Sequence, residues 1–189
     1  MRRKQKLYRS LTGLIIVVIL ALVSSQELFQ NKSFQSKQDT QGQFTGSNFE
    51  VFEKQVKYPI TVAKVSDGDT FHAIYNDREF KVRLLMINTP ELAKNNQPAQ
   101  PYAQKAYDRT QQLLSQAKVI EASFDKGDYT DKYDRALMYV YIDGKLLQQY
   151  LLEEGYAKVQ YVNKPNNTLE SEFRTYESIA KNKKIGIWK

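Results

Sequence analysis

The sequence predicts a mainly β fold with helices, a five-stranded barrel carrying three helices, and three observations point there. Beyond Tyr58, short apolar stretches end at turn-forming residues, as half-buried strands do. Three other stretches repeat their apolar residues at helical spacing. About five strands can be placed in all, too few for a sandwich.

The elements follow in order. Ile60, Val62 and Val65 predict a strand that stops at Asp67-Gly68-Asp69, and Thr70 to Tyr75 predict a second. Asn76-Asp77 predicts a tight turn into a third, largely buried strand through Phe80, Val82, Leu84 and Leu85-Met86-Ile87, which ends at Asn88-Thr89-Pro90. Three strands in succession suggest a meander. After Pro101, Ala103, Ala106, Leu113, Leu114 and Ala117 predict a helix. Val119 to Phe124 and Tyr133 to Ile142 return to strand, and Asp143-Gly144 turns the second of these. Leu146, Leu147, Tyr150 and Leu151 predict a helix closed by Gly155, and Leu169, Phe173, Tyr176 and Ala180 mark the last one. The set suits a Greek-key barrel of the OB type, without internal repeats.

Of the 189 residues, 41% are hydrophobic and 26% charged, near globular averages. The net charge of +7 says little about partners, because Arg2, Arg3, Lys4, Lys6 and Arg9 supply five positive charges at one end. No cysteine is present, which excludes a disulfide framework and a thiolate metal site. Residues 1–25 have the three parts of a secretory signal: a basic start, an apolar stretch from Leu11 to Val23, and the small Ser24 and Ser25. That stretch is shorter than the roughly 20 residues of a membrane span, so export is expected, with an uncleaved membrane anchor as the alternative. Residues 26–56 are rich in Gln, Ser, Asn, Thr and Gly and read as a linker or pro-segment; residues 57–189 form the expected domain.

Candidate chemistry gathers at four places. In Ser66-Asp67-Gly68-Asp69-Thr70 a glycine allows a tight turn that can aim a carboxylate at a cation, although Asp-Gly-Asp also builds plain hairpins. Arg83 stands on an otherwise apolar strand that ends at Asn88-Thr89-Pro90-Glu91. A buried charge needs a partner, so Arg83 fits either a core ion pair or a ligand site. Asp131-Lys132-Tyr133-Asp134-Arg135 and the stretch from Tyr161 to Thr168 are polar loops. Together these places supply carboxylates for a hard cation and a proton, two guanidiniums for phosphate oxygens, and tyrosines for stacking on bases. The lone His72, on a predicted strand without a second His, suits a barrel face better than a zinc site.

The domain from Tyr58 to Trp188 resembles staphylococcal nuclease throughout. The resemblance rests on Asp67-Gly68-Asp69-Thr70, Arg83-Leu84-Leu85, Thr89-Pro90-Glu91, Phe124-Asp125-Lys126-Gly127, Asp131-Lys132-Tyr133, Lys164-Pro165-Asn166-Asn167-Thr168 and Ile187-Trp188, in the family's order. It implies a five-stranded OB barrel with three helices, one calcium ion, and cleavage of DNA and RNA to products ending in 3'-phosphate. Carried over by position, Asp69 ligates calcium directly, Thr89 through its carbonyl, Glu91 is the general base, and Arg83 and Arg135 clamp phosphate. Lys132, Tyr133 and Tyr161 fall where the family contacts the nucleotide. Asn88 stands where the family has a metal-binding aspartate; its amide oxygen can still ligate calcium, without charge. Asn163 replaces a second nucleotide-binding tyrosine, and Gln97 lacks a usual positive charge. A monomer acting on nucleic acid, with no protein partner, is implied. Two other classes stay open: an OB barrel that binds strands without cutting them, and a surface-anchored structural protein with the linker as a stalk.

Overall fold

The meander forms because its turns suit the strand twist. Strands β2 (Thr61–Asp67), β3 (Thr70–Tyr75) and β4 (Arg78–Leu84) pair antiparallel in succession. Asn76 and Asp77, both at positive φ (47° and 61°), make the second connection, a conformation that matches the right-handed twist of the flanking strands. These elements come from a computed structural model that describes residues 46–189. The expected signal segment and most of the expected linker lie outside the described residues.

The remaining elements are β1 (Tyr58–Pro59), β5 (Ile87–Asn88), α1 (Ala103–Gln116), β6 (Ile120–Phe124), β7 (Ala136–Ile142), β8 (Lys145–Leu146), α2 (Leu147–Glu153), β9 (Lys158–Val159) and α3 (Glu170–Lys183). 3-10 helices span Gly46–Val51 and Gly186–Trp188. The main sheet runs β1-β6-β7-β4-β3-β2, with β8 added to β7. Among the described residues only β4 and β7 pair in parallel, and the crossover between them carries β5, α1 and β6. The end strands β1 and β2 are separated in the chain by Ile60 alone, whose N–H bonds Ile120 O at 3.0 Å. One bent stretch therefore touches β6 at its start and β3 along its length, and bulges after Val62 and Val65 give it the bend. The sheet curls in the barrel manner expected, with three helices. Among the described residues no helix is long and apolar enough to cross a membrane.

The structure corrects three boundaries. The third strand does not run on to Ile87: Met86 sits at φ 58°, breaking the strand after Leu84, and β5 pairs instead with β9 in a second, two-stranded sheet. The strand expected from Tyr133 begins at Ala136, because Asp131 folds the preceding residues onto its own side chain. Phe49 and Phe52, in the stretch expected as linker, are 0% and 1% exposed. Their rings pack edge-on against Phe124, and Phe49 also meets Phe80. Burying each ring stabilises the fold by about 1.5–3 kcal/mol, so the packed body starts before residue 57.

Candidate active site

The acidic turn between β2 and β3 is held from three sides. A Cβ at Gly68 would come within 2.7 Å of Thr89 Oγ1 and 2.9 Å of Ala106 Cβ, so only glycine lets the turn lie against Thr89 and α1. Thr110 on α1 donates its hydroxyl to Gly68 O at 2.7 Å. Asp69 is 4% exposed. Its Oδ2 accepts the Thr89 N–H at 3.0 Å and lies 3.2 Å from Arg83 Nη2, while its Oδ1 accepts the Thr70 hydroxyl. Asp67 Oδ1 accepts the Asp69 N–H at 3.0 Å. Burial, then the Asp69 charge and more weakly that of Glu91, push the Asp67 carboxyl up to about 6.

Arg83, near the end of β4, is buried and multiply bonded. Its Nη1 donates to Leu84 O at 2.5 Å and its Nη2 to Asn88 Oδ1 at 3.3 Å, and its guanidinium lies 5.6 Å from the Tyr161 ring centre. Both readings of this residue meet in one geometry, since the core ion pair with Asp69 is itself part of the site. Glu91 is placed through its backbone: its N–H bonds Gln100 Oε1, and its carbonyl accepts the Gln100 N–H.

The opposite wall is made of loops. Arg135 forks onto Asp131 Oδ2 with Nε at 2.8 Å and Nη2 at 2.7 Å, and its Nη1 lies 3.5 Å from Thr70 Oγ1. Asp131 Oδ1 also accepts the N–H groups of Tyr133 and Arg135. Burial pushes the Asp131 carboxyl up, but the Arg135 and backbone hydrogen bonds outweigh it and hold it below the usual carboxylate range. Tyr133 and Tyr161 are 67% and 58% exposed, and Lys132 Nζ and the Arg135 guanidinium lie 5.0 Å and 5.5 Å from the Tyr133 ring centre. The Tyr161–Thr168 loop is pinned by Asn166, whose Oδ1 accepts the Gly127 N–H at 2.6 Å and whose Nδ2 donates to Asp128 O. It is pinned again by Thr168, whose N–H and hydroxyl both donate to Asp125.

One cavity of about 670 Å³ brings together Asp69, Arg83, Asn88, Glu91, Lys132, Tyr133, Arg135 and Tyr161 from the sequence-derived set. Thr89 does not line it; it is 2% exposed and meets Asp69 through its N–H. The cavity adds Asp67, Lys94, Asp131 and Asn166, to which sequence reasoning gave no role. Asp67 and Asp131 stood inside the quoted motifs, whereas the support from Thr110 could be seen only once α1 was placed. His72 lies outside the cavity and pairs with Glu79 across β3 and β4. The cavity's donors beside Asp69 are hard oxygens, from carboxylates and an amide, which suits an alkaline-earth cation in kind. Among the described residues no three carboxylates or imidazoles converge as a ready metal cage.

Residues 81–189 match the family model described as "Staphylococcal nuclease homologue". The chain is 36% identical over 195 residues to "Endonuclease YncB" of Bacillus subtilis (strain 168), across 97% of this chain and 92% of that protein. It is 30% identical over 177 residues to the "Thermonuclease" of Staphylococcus hyicus, across 94% of this chain and 96% of the relative. To "SPbeta prophage-derived endonuclease YokF" of B. subtilis it is 44% identical over 129 residues, 68% of this chain but only 43% of that larger protein. With more than half of its length matched by the family model, and two relatives matched nearly end to end, the chain belongs to the staphylococcal nuclease homologue family.

Proposed function

We propose that this chain is an exported, calcium-dependent nuclease that hydrolyses phosphodiester bonds of DNA and RNA to 3'-phosphate products. The observation that carries the reading is the pairing, around one cavity, of an oxygen-only acidic wall with two guanidiniums and two exposed tyrosines. Relatives named endonuclease and thermonuclease support it. Export rests on the residue 1–25 pattern alone, and N-terminal sequencing of secreted protein tests it: a chain still beginning at Met1 rules out cleavage.

Asp69, with Asn88 and the Thr89 carbonyl, would hold the calcium ion. Bound there, the cation supplies charge stabilisation to the phosphate oxygens. Glu91, which lines the same cavity as both arginines, takes a proton from the attacking water or orients it. Arg83 and Arg135 neutralise charge that grows on the phosphate during in-line attack, an effect that matters most in the transition state. Tyr133 and Tyr161 stack on bases, which favours single-stranded substrate without demanding a sequence.

A second reading, a barrel that binds strands without cutting them, is favoured by Asn88 and Asn163, which remove a metal charge and a stacking ring. Single-stranded DNA incubated with the purified protein, first with calcium and then with chelator, separates the two. Calcium-dependent cutting is expected; retention without cutting supports the binder, and full activity in chelator overturns the metal role.

A further inference from the structure

Phe49 and Phe52 lie upstream of every candidate site residue and outside the part matched by the family model, yet the structure ties their segment to one wall of the site. Phe52 O accepts the Tyr129 hydroxyl at 3.0 Å. Lys54 Nζ lies 4.6 Å from the Tyr129 ring centre and donates to Lys126 O at 3.1 Å. The Gln55 N–H donates to Phe124 O at 2.8 Å. Residues 52–55 thus bond to Phe124, Lys126 and Tyr129, and Phe124 and Tyr129 pack edge to face, with ring centres 4.8 Å apart.

Tyr129 is the hinge of the loop that follows. Its carbonyl accepts the Leu137 N–H at 2.8 Å, so it closes the loop at both ends. Between these two residues stand Lys132, Tyr133 and Arg135, the basic and aromatic half of the site. The acidic half is anchored elsewhere, by Thr110 of α1 and by the Thr89 N–H. Phe52 meets β3 and β4 through the rings of Tyr75 and Phe80.

We propose that residues 49–55 act as a strap that sets the position of the 129–137 loop, making Phe52 and Tyr129 positioning residues for nucleic-acid binding. This rests on the nuclease reading above. The strap acts on strand binding rather than on the metal site, because the Tyr129 hydroxyl that Phe52 O holds opens the loop carrying Lys132, Tyr133 and Arg135, whereas Asp69 is held by Thr89, Thr70 and Arg83.

The test measures two affinities on one purified protein: for a short single-stranded oligonucleotide in chelator, where cleavage is blocked, and for calcium alone. Tyr129→Phe keeps the ring and removes only the hydrogen bond to Phe52, and Phe52→Leu trims the anchor. Tyr129→Phe is expected to weaken oligonucleotide binding roughly three- to tenfold, the span of one lost hydrogen bond, and Phe52→Leu, which keeps the carbonyl acceptor but loosens it, to weaken binding in the same direction, both with calcium affinity unchanged. Melting curves fix a temperature at which every variant is folded. If Phe52→Leu does not fold, Tyr129→Phe decides the matter. Unchanged oligonucleotide affinity beside a lowered melting temperature overturns the strap and leaves an ordinary core contact. Parallel loss of calcium and oligonucleotide affinity also overturns it. An unaltered protein that binds no oligonucleotide removes the nucleotide wall itself, and the nuclease reading falls with it.

Discussion

The two walls of the cavity are built by opposite means. The acidic wall sits in the body of the fold: Asp69, Arg83 and Thr89 are nearly inaccessible, and each bonds to another of the three or to the backbone beside it. The basic and aromatic wall is carried by two loops with exposed tyrosines, one folded onto its own Asp131 and the other held by polar links to Asp125 and Gly127. Two aspartates show the contrast in charge. Asp67 is pushed up by burial and by like charges, whereas Asp131 is held down by its arginine and backbone donors despite its own burial. Asp67 carries charge that the fold opposes, and Asp131 carries charge that the fold rewards. Function and stability should therefore be coupled on one side of the site and separable on the other.

The sharpest way to break this contrast is to remove each arginine. Either loss should slow cleavage by about 10² or more, the usual effect of removing one group that stabilises transition-state charge. Arg83→Ala should in addition destabilise the fold by about 3–5 kcal/mol, since it leaves Asp69 buried without its charge partner. Arg135→Ala, with a partly exposed partner, should cost no more than about 1 kcal/mol. Denaturant melts beside rate measurements check both. Equal stability losses would mean that the walls are not built differently.

The next effect concerns pH. A carboxyl whose folded pKa, about 6, lies above its ordinary 3.8 favours the protonated fold. Its contribution is complete below about pH 4 and is lost as pH rises through 6, so it opposes folding at neutrality. Asp67→Asn should then stabilise the cation-free protein at pH 7 by about 2 kcal/mol, less whatever water screens, and flatten the melting temperature between pH 4 and 7. A variant that melts with the same pH slope as the natural protein would show that Asp67 meets no such opposition.

Asn88→Asp sharpens the same wall. An added carboxylate should tighten calcium binding about tenfold, near 1.4 kcal/mol, and destabilise the cation-free fold by crowding Asp69. Arg83 Nη2 lies 3.3 Å from Asn88 Oδ1 and would neutralise part of the new charge, so the penalty should be smaller than for an unpaired acid. Calorimetric titration that finds no gain in affinity would place Asn88 outside the metal site.

How much of this was legible differs between the walls as well. The meander and the residues of the acidic turn could be read from the sequence because strand period and turn residues are local signals, whereas the need for glycine at 68 is set by the distant Thr89 and Ala106. The break at Met86 could not, since the apolar run from Leu84 to Ile87 looks the same whether it is one strand or two pieces; pairing with β9 far along the chain decides. Phe49 and Phe52 were lost for a related reason. Two rings in a polar stretch have no period, and only the tertiary core shows that they are inside. Arg83 was legible as a charge in need of a partner, but its choice of Asp69 depends on strand register, Thr70 opposite Arg83.

The smallest predicted effect tests the loop wall by itself. Asp131 accepts hydrogen bonds from Tyr133 N–H, Arg135 N–H and the Arg135 guanidinium, all within its own loop. Its depressed pKa means that it stabilises the fold fully above the ordinary carboxylate range and that this is lost as pH falls through the folded value. Asp131→Asn keeps the shape and one acceptor oxygen but removes the charge, so at pH 7 it should cost about 1 kcal/mol or less, the usual size for an ion pair near the surface. At pH 3 the two proteins should differ less, the reverse of the Asp67 trend. Because Arg135 is then held less firmly, oligonucleotide cleavage should slow with the calcium requirement unchanged. A shift in calcium affinity in this variant would show that the two walls communicate, and the division of the site drawn from their burial would have to be given up.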